Sequence, residues 1–259
     1  MSDANPSLCP WPTPREQPQL APGVVHVWCL TLDLPEATID SLRTILSADE
    51  AARAARYLFD KHRRRFIACR GQVRQILAGY LCADPAEIGF SYGAKGKPAL
   101  AGPWSESKIQ FNVSDSHELA LCALVMNRDL GVDLEHIRSP SDFEGLAERF
   151  FAAREVDMLR SLPDERRLDA FFNCWTRKEA VLKAVGIGLA MPLNRVEVTL
   201  APQDPAKVLI YAGDAAAADS WWLQSLDPAM GYVGALASRG SSLQVMPWRF
   251  DAGITQSIV

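Results

Sequence analysis

The spacing of hydrophobic and polar positions changes period several times along the chain. Residues 24–32 (VVHVWCLTL) are rich in β-branched and aromatic side chains, which predicts a strand. Pro35 suits the first turn of a helix reaching about Leu46. Ser47 and Glu50 have capping-box spacing, which predicts a second helix through about Phe59. Asp60 is placed to cap a long helix to about Cys82. There Phe66, Ile67, Val73, Ile76, Leu77, Tyr80 and Leu81 keep helical spacing, and the arginines fall largely on the other faces. Short strands are predicted over 88–92, 109–113 and 119–126. Gly93, Gly96 and Pro98 make a turn around Lys95 and Lys97, and the polar run SDSHE joins the last two strands.

The order then starts again. A strand is predicted over 131–137, helices over 142–151 and 153–161, and a long helix over 165–185 stopped by Gly186 and Gly188. Strands follow near 195–200, 207–211, 220–226 and 231–238. Each half reads strand, helices, strands, so an α+β fold of two similar halves is expected, 23–128 and 129–259. A proline-rich arm, residues 1–22, precedes them as an extended or loosely docked segment. The cleft between such halves is the natural place for a ligand.

Composition narrows the class. The 259 residues are 48% hydrophobic and 22% charged, which excludes a disordered or collagen-like chain. No apolar run approaches the roughly 18 residues of a membrane span, and no signal peptide is visible, so a cytoplasmic protein without a membrane partner is expected. Six cysteines without a C-x-x-C pair read as reduced thiols with no zinc site. A net charge of −4 argues against a nucleic-acid partner. That average conceals residues 53–74, where Arg53, Arg56, Lys61, Arg63, Arg64, Arg65, Arg70 and Arg74 face one acid, Asp60. The segment is +7, leaving −11 for the rest of the chain.

Four constellations carry candidate chemistry. In GVDLE (131–135), Val132 and Leu134 should face the core, which turns Asp133 and Glu135 together to the other side. Paired carboxylates repel unless they share a cation, and their hard oxygens suit Mg²⁺ or Mn²⁺. Alternating acids also occur on ordinary solvent-facing strands. Trp175, Glu179 and Lys183 share one helical ridge, so Glu179 is a candidate third carboxylate and Lys183 a candidate anion partner. The same spacing also fits a surface ion pair. The arginine-rich stretch with Lys95 and Lys97 suits phosphates or a solvated helix face. The turn after FNV (Ser114-Asp115-Ser116-His117) suits phosphate oxygens or a plain hairpin. No G-x-S-x-G elbow accompanies Ser116 and His117, which argues against a serine hydrolase.

Together and in this order, GKP (96–98), FNVSDS (111–116), GVDLE (131–135), WTRKEAVLKAVGIGL (175–189) and the basic stretch 56–74 make the chain resemble the 4′-phosphopantetheinyl transferase superfamily. The match is to its long, monomeric type, which activates surfactin-synthetase-like carriers, and it covers about residues 40–200. The resemblance implies a pseudo-twofold pair of α+β halves. It also implies transfer of phosphopantetheine from coenzyme A to a serine of an acyl or peptidyl carrier protein, with release of 3′,5′-adenosine bisphosphate. It places metal ligands at Asp133, Glu135 and Glu179, and puts Lys183 near the coenzyme A phosphates. The nucleotide falls to Arg65, Lys97, Pro98 and Ser114, with Asp133 beside it. Glu179 becomes the candidate base for the attacking serine, directly or through a water held by the metal, and Lys183 the stabiliser of the leaving phosphate. The family commonly has His where this chain has Asp115. A carboxylate repels phosphate, so Asp115 is expected to turn away from the nucleotide. An RNA-binding helix, an inactive scaffold and a Mg²⁺-dependent phosphohydrolase remain alternatives.

Overall fold

A computed structural model describes residues 9–93, 96–138, 142–186 and 191–251. The first half runs β1 (Val24–Thr31), α1 (Glu36–Thr44), α2 (Ala48–Ala55), α3 (Asp60–Leu81), β2 (Gly89–Tyr92), β3 (Pro98–Ala101), β4 (Ile109–Ser116) and β5 (Leu119–Met126). The second runs β6 (Leu130–His136), α4 (Phe143–Phe150), α5 (Ala153–Ser161), α6 (Asp164–Val185), β7 (Val196–Val198), β8 (Val208–Tyr211), α7 (Ala215–Ala218), β9 (Trp221–Leu226), β10 (Tyr232–Arg239) and β11 (Gln244–Arg249). The α+β class read from the sequence is the class observed. Each half begins with a strand, two short helices and a 22-residue helix.

Two sheets pack face to face between two long helices. The first has strand order β11-β1-β5-β4, the second β6-β10-β9. Alternation along β1 sorts its side chains: Trp28 and Leu30 meet Ile67, Val73 and Leu77 of α3, while Val25, Val27 and Cys29 point inward. The inward set meets Val132, Leu134 and Leu236 of the second sheet. On that sheet's far side, Val233, Ala235 and Ala237 pack against Ala180, Val181 and Ala184 of α6. The layers are therefore helix, sheet, sheet, helix, with three apolar cores between them.

β6 lies unusually close to α6. A Cβ added to Gly131 would stand 2.0 Å from the Ala180 carbonyl oxygen and 2.4 Å from the Ala184 amide nitrogen. The glycine that opens GVDLE is thus a packing requirement, and it brings the carboxylates of β6 beside the helix that carries Glu179 and Lys183.

Several elements differ from the sequence expectation. α2 ends at Ala55, and Asp60 lies inside the first turn of α3, where its carboxylate pairs with Arg63 instead of capping. The SDSHE run is not a long turn: β4 continues through Ser116, leaving His117 and Glu118 as a two-residue loop with His117 in the left-handed region. Arg65 and Arg74 are buried and not on an outer face. Glu50 Oε2 accepts from Arg74 Nε at 2.7 Å, and Arg74 also donates to the Pro85 and Ile88 carbonyls. β3 and β11 were not expected. Pro247 disguises β11, which is tolerated because β11 is an edge strand, paired parallel with β1. Within the proline-rich arm, Cys9 is buried and Trp11 packs on the inner core, while the Pro12 carbonyl accepts from Arg249 N at 2.8 Å. Lys95, Gly188 and Leu189 lie outside the described residues.

One buried polar group gives the fold a pH dependence. His26 Nδ1 is 2.6 Å from the Tyr80 hydroxyl, which accepts from Trp28 Nε1 at 3.0 Å, so the hydroxyl proton goes to a neutral His26. Burial lowers the His26 pKa to about 4. The unfolded chain, with an ordinary histidine, takes up this proton first as pH falls. Stability from this site is therefore full above about pH 6.5 and is lost progressively toward pH 4. Denaturant titrations should show a loss of about 2 kcal/mol between pH 7.5 and pH 5, and His26→Phe should flatten that slope. Gly131→Ala should cost about 1–3 kcal/mol or more, read as a fall in the denaturation midpoint, because the clash is with backbone that cannot step aside.

Candidate functional site

β4 and β6 run side by side where the two halves meet, but side chains of β4 rather than a backbone ladder join them. Asn112 Oδ1 accepts from Val132 N at 2.9 Å, and Ser116 Oγ accepts from His136 N at 3.0 Å. Between them, Ser114 Oγ donates to Asp133 Oδ1 at 2.9 Å. Ser116 Oγ also donates to Glu135 Oε2 at 2.9 Å. Residues 112, 114 and 116 share one side of a strand, which is why this polar alternation exists in FNVSDS. Sequence reading singled out Ser114 but not Asn112 or Ser116 as seam residues. The period-two pattern was the available signal.

α6 supplies the opposite wall. Lys183 Nζ donates to Asp133 Oδ1 at 2.6 Å and to Ser114 Oγ at 2.8 Å. Asp133 is buried, and its second oxygen, Oδ2, has no hydrogen-bond partner. Burial, with the Asp133 charge next in importance, raises the pKa of Glu135. The same two causes raise Glu179, and Glu135 adds to them. The structure therefore joins Ser114, Asp133 and Lys183 by hydrogen bonds, with Glu135 and Glu179 near enough to feel the Asp133 and Lys183 charges. Within WTRKEA the neighbouring cations have another task. Lys178 is fully buried against Glu155 at 2.5 Å, and Arg177 ties Thr199 and Ser225 to the helix. Trp175 packs edge-on against Phe150 and at a tilt against Phe151 and Phe171.

Among the described residues, no three His, Cys, Asp or Glu side chains converge into a formed metal centre. The donor chemistry still fits a hard divalent cation. Three carboxylates share one region, two have pKa values raised partly by the others, and one buried oxygen is left without a partner. Lys183 supplies the positive charge in this arrangement.

Next to the carboxylates lies a pocket of about 470 Å³. Arg53, Arg65, Arg70 and Arg138 line it with His62, His117 and His136. Arg65 is held there by Asp33 through a two-pronged pair at 2.6 and 2.7 Å. His117 stacks on His136 at 4.7 Å, and burial together with Arg65 lowers the pKa of His117. Asp115, where the family commonly has His, is among the residues that line this pocket. His136 and Arg138 were missed as pocket residues, because they follow GVDLE outside any motif. A smaller cavity, about 180 Å³, is lined by Lys97, Pro98, Asn112, Lys183 and Gly186. Lys97 Nζ donates to the carbonyls of Leu130 and Ala184, both at 3.0 Å, and burial lowers its pKa. Lys97 thus fastens the first half to the end of α6. Several arginines of the basic segment are likewise held by ion pairs: Arg64 pairs with Glu36 near the surface, and Arg70 and Arg74 share the buried Glu50.

A family model described as the 4′-phosphopantetheinyl transferase superfamily matches residues 129–237, and one described as the N-terminal part of 4′-phosphopantetheinyl transferase matches residues 35–127. The chain is 46% identical over 226 residues to the 4′-phosphopantetheinyl transferase HetI of a Nostoc species, spanning 87% of this chain and 92% of that one. It is 29% identical over 254 residues to a phosphopantetheinyl transferase of a Thraustochytrium species, spanning 90% and 86%. Among solved structures, a Helicobacter pylori holo-acyl-carrier-protein synthase in complex with coenzyme A matches 43% of this chain and 99% of that one, at 15% identity and a TM-score of 0.32. With both halves matched by family models and a relative this similar over most of its length, the chain belongs to the 4′-phosphopantetheinyl transferase superfamily.

Proposed function

We propose that this transferase moves 4′-phosphopantetheine from coenzyme A to a serine hydroxyl of an acyl or peptidyl carrier protein, releasing 3′,5′-adenosine bisphosphate. The observation that carries the reading is the meeting of Asp133, Glu179 and Lys183 at the seam, beside a pocket lined by four arginines. An arginine-lined pocket suits the phosphates of coenzyme A, and the cleft between 23–128 and 129–259 gives the carrier serine an approach. The protein acts as a cytoplasmic monomer in this reading. No helix among the described residues is long and apolar enough to cross a membrane.

The chemistry is positioning and electrostatics. Asp133, Glu135 and Glu179 would hold Mg²⁺ or Mn²⁺, which when bound supplies Lewis-acid polarisation of phosphoryl oxygens. Ser114 and Ser116 hold two of these carboxylates by hydrogen bonds before any substrate arrives. Lys183 places its ammonium where charge develops on the departing phosphate. Arg65, fixed by Asp33, faces the pocket as a preset cation. Glu179, half-buried with a raised pKa, accepts the proton of the attacking serine hydroxyl, directly or through water.

The class is tested by incubating an apo carrier domain with coenzyme A, Mg²⁺ and this protein. Intact mass should rise by about 340 Da per carrier, the mass of the transferred arm. No gain on any acyl or peptidyl carrier overturns the reading. Release of free phosphopantetheine without carrier would point instead to a phosphohydrolase. Glu179→Gln should abolish transfer while only weakening coenzyme A binding, measured by calorimetry. Unchanged turnover would remove Glu179 from the role of base.

A further inference from the structure

Two of the thiols meet where the N-terminal arm enters the inner core. Cys9 and Cys29 are 20 positions apart in sequence, and each is 1% exposed within the same apolar cluster. Backbone contacts fix their approach independently of the sulfurs. Cys29 lies on β1, in register with Arg249 of β11, and its carbonyl accepts from Phe250 N at 2.9 Å. Arg249 N donates in turn to the Pro12 carbonyl at 2.8 Å, and Arg249 Nε donates to Thr13 Oγ1 at 3.1 Å. The arm therefore passes β11 at the level of Cys29, and the short step back from Pro12 brings Cys9 into the core. The thiols end in contact, with the Cys29 S–H donating to the Cys9 sulfur.

A lone buried cysteine packs as a small hydrophobe, so what distinguishes this pair is its reactivity. The hydrogen bond from Cys29 is the main cause that lowers the Cys9 pKa; the Trp11 amide and the Arg249 charge add to it, and burial opposes it. The same hydrogen bond, with burial, raises Cys29. Cys9 is thus the thiol poised to react first, with Cys29 beside it to resolve the product. Access comes from the arm. It lies outside both sheets, clipped by Arg249, by the Gln17 side chain over Gly79 of α3, and by Leu20 against the outer core. Such a strap lifts by local opening while the sheets stay paired. Cys69 and Cys122 also feel each other's charge, but they belong to α3 and β5, which part only if the outer core opens.

We infer that Cys9 and Cys29 form a reversible disulfide that locks the N-terminal arm onto β1, with a hydroperoxide as the oxidant. The Cys9 thiolate attacks one peroxide oxygen and the O–O bond breaks. Cys9 becomes a sulfenic acid, and the departing hydroxide takes the former Cys9 proton and leaves as water. The Cys29 sulfur then attacks the Cys9 sulfur. The S–S bond forms, the S–O bond breaks, and the second hydroxide leaves as water with the Cys29 proton. The two thiols lose two electrons and the peroxide gains them. A dithiol reductant reverses the change by exchange. The bond closes a loop between arm and sheet, which removes the freedom of the arm to lift. The inference does not rest on the transferase reading.

The test treats the reduced full chain with hydrogen peroxide. Intact mass without reductant should fall by about 2 Da, the two hydrogens lost on disulfide formation. After alkylation of the remaining thiols and proteolysis, Cys9 and Cys29 should be recovered in one linked pair of peptides that dithiothreitol separates. Oxidation should raise Tm by about 5 °C, and reduction should restore it. Cys9→Ala should abolish both the linked pair and the rise, while Cys82→Ser, at an exposed position, should keep both. Recovery of Cys9 and Cys29 unlinked after peroxide treatment overturns the assignment. A linkage between Cys69 and Cys122 in its place does so too, as does a rise in Tm that persists in Cys9→Ala. A linked pair that leaves Tm unchanged or lower overturns the locking role.

Discussion

The arrangement depends on how the β4–β6 seam is closed. Two strands that meet without a backbone ladder would leave amide groups in the interior unpaired, at a cost of about 1–3 kcal/mol each. Asn112 and Ser116 satisfy those of Val132 and His136. The hydroxyl between them, Ser114, is then free to reach a carboxylate. Joining the halves and orienting the acids are consequently one set of hydrogen bonds. A displacement of either half would reach Asp133 at once.

The acids illustrate how a strained charge distribution is held. Burying Asp133 costs several kcal/mol unless the charge is compensated. Lys183 compensates it through one oxygen, which Ser114 also meets, and leaves the other oxygen without a hydrogen-bond partner. Glu135 and Glu179 bear part of the cost as raised pKa values. A site that is over-supplied with negative charge but rigidly framed suits recruitment of a cation and a charged substrate. The surrounding pocket is cationic for the opposite reason. Asp33 fixes Arg65 there, and Glu50, deeper in, binds Arg70 of the pocket together with the buried Arg74.

Much of this was legible in the sequence, because helical spacing, capping-box chemistry and strand alternation are local. The capping box at Ser47 and Glu50 forms as read, and the inward Val132 and Leu134 do turn Asp133 to the other side. What was not legible is long-range. The sequence does not show that Glu50, a cap residue, also binds Arg70 and Arg74, which lie 20 and 24 positions on. The basic segment therefore looked more open to solvent than it is. Nor does the sequence show that Lys97 donates to two carbonyls from the other half, a contact that only the fold creates. The polar residues of β4 looked like a turn because their partners lie on a strand that is not paired with β4 by backbone.

The pairing of β11 with β1 has a bearing on synthesis. Residues 244–249 complete the sheet that residues 24–31 begin, and Arg249 also ties down Pro12 and Thr13. As the chain leaves the ribosome, the first sheet therefore lacks an edge until residues 244–249 have been made. Contacts of such long sequence separation form late and slowly. Until then β1 presents an open edge with Val25 and Val27 at its core, a surface suited to unwanted pairing. Order along the chain is thus not order of assembly: β11 closes the sheet that β1 begins.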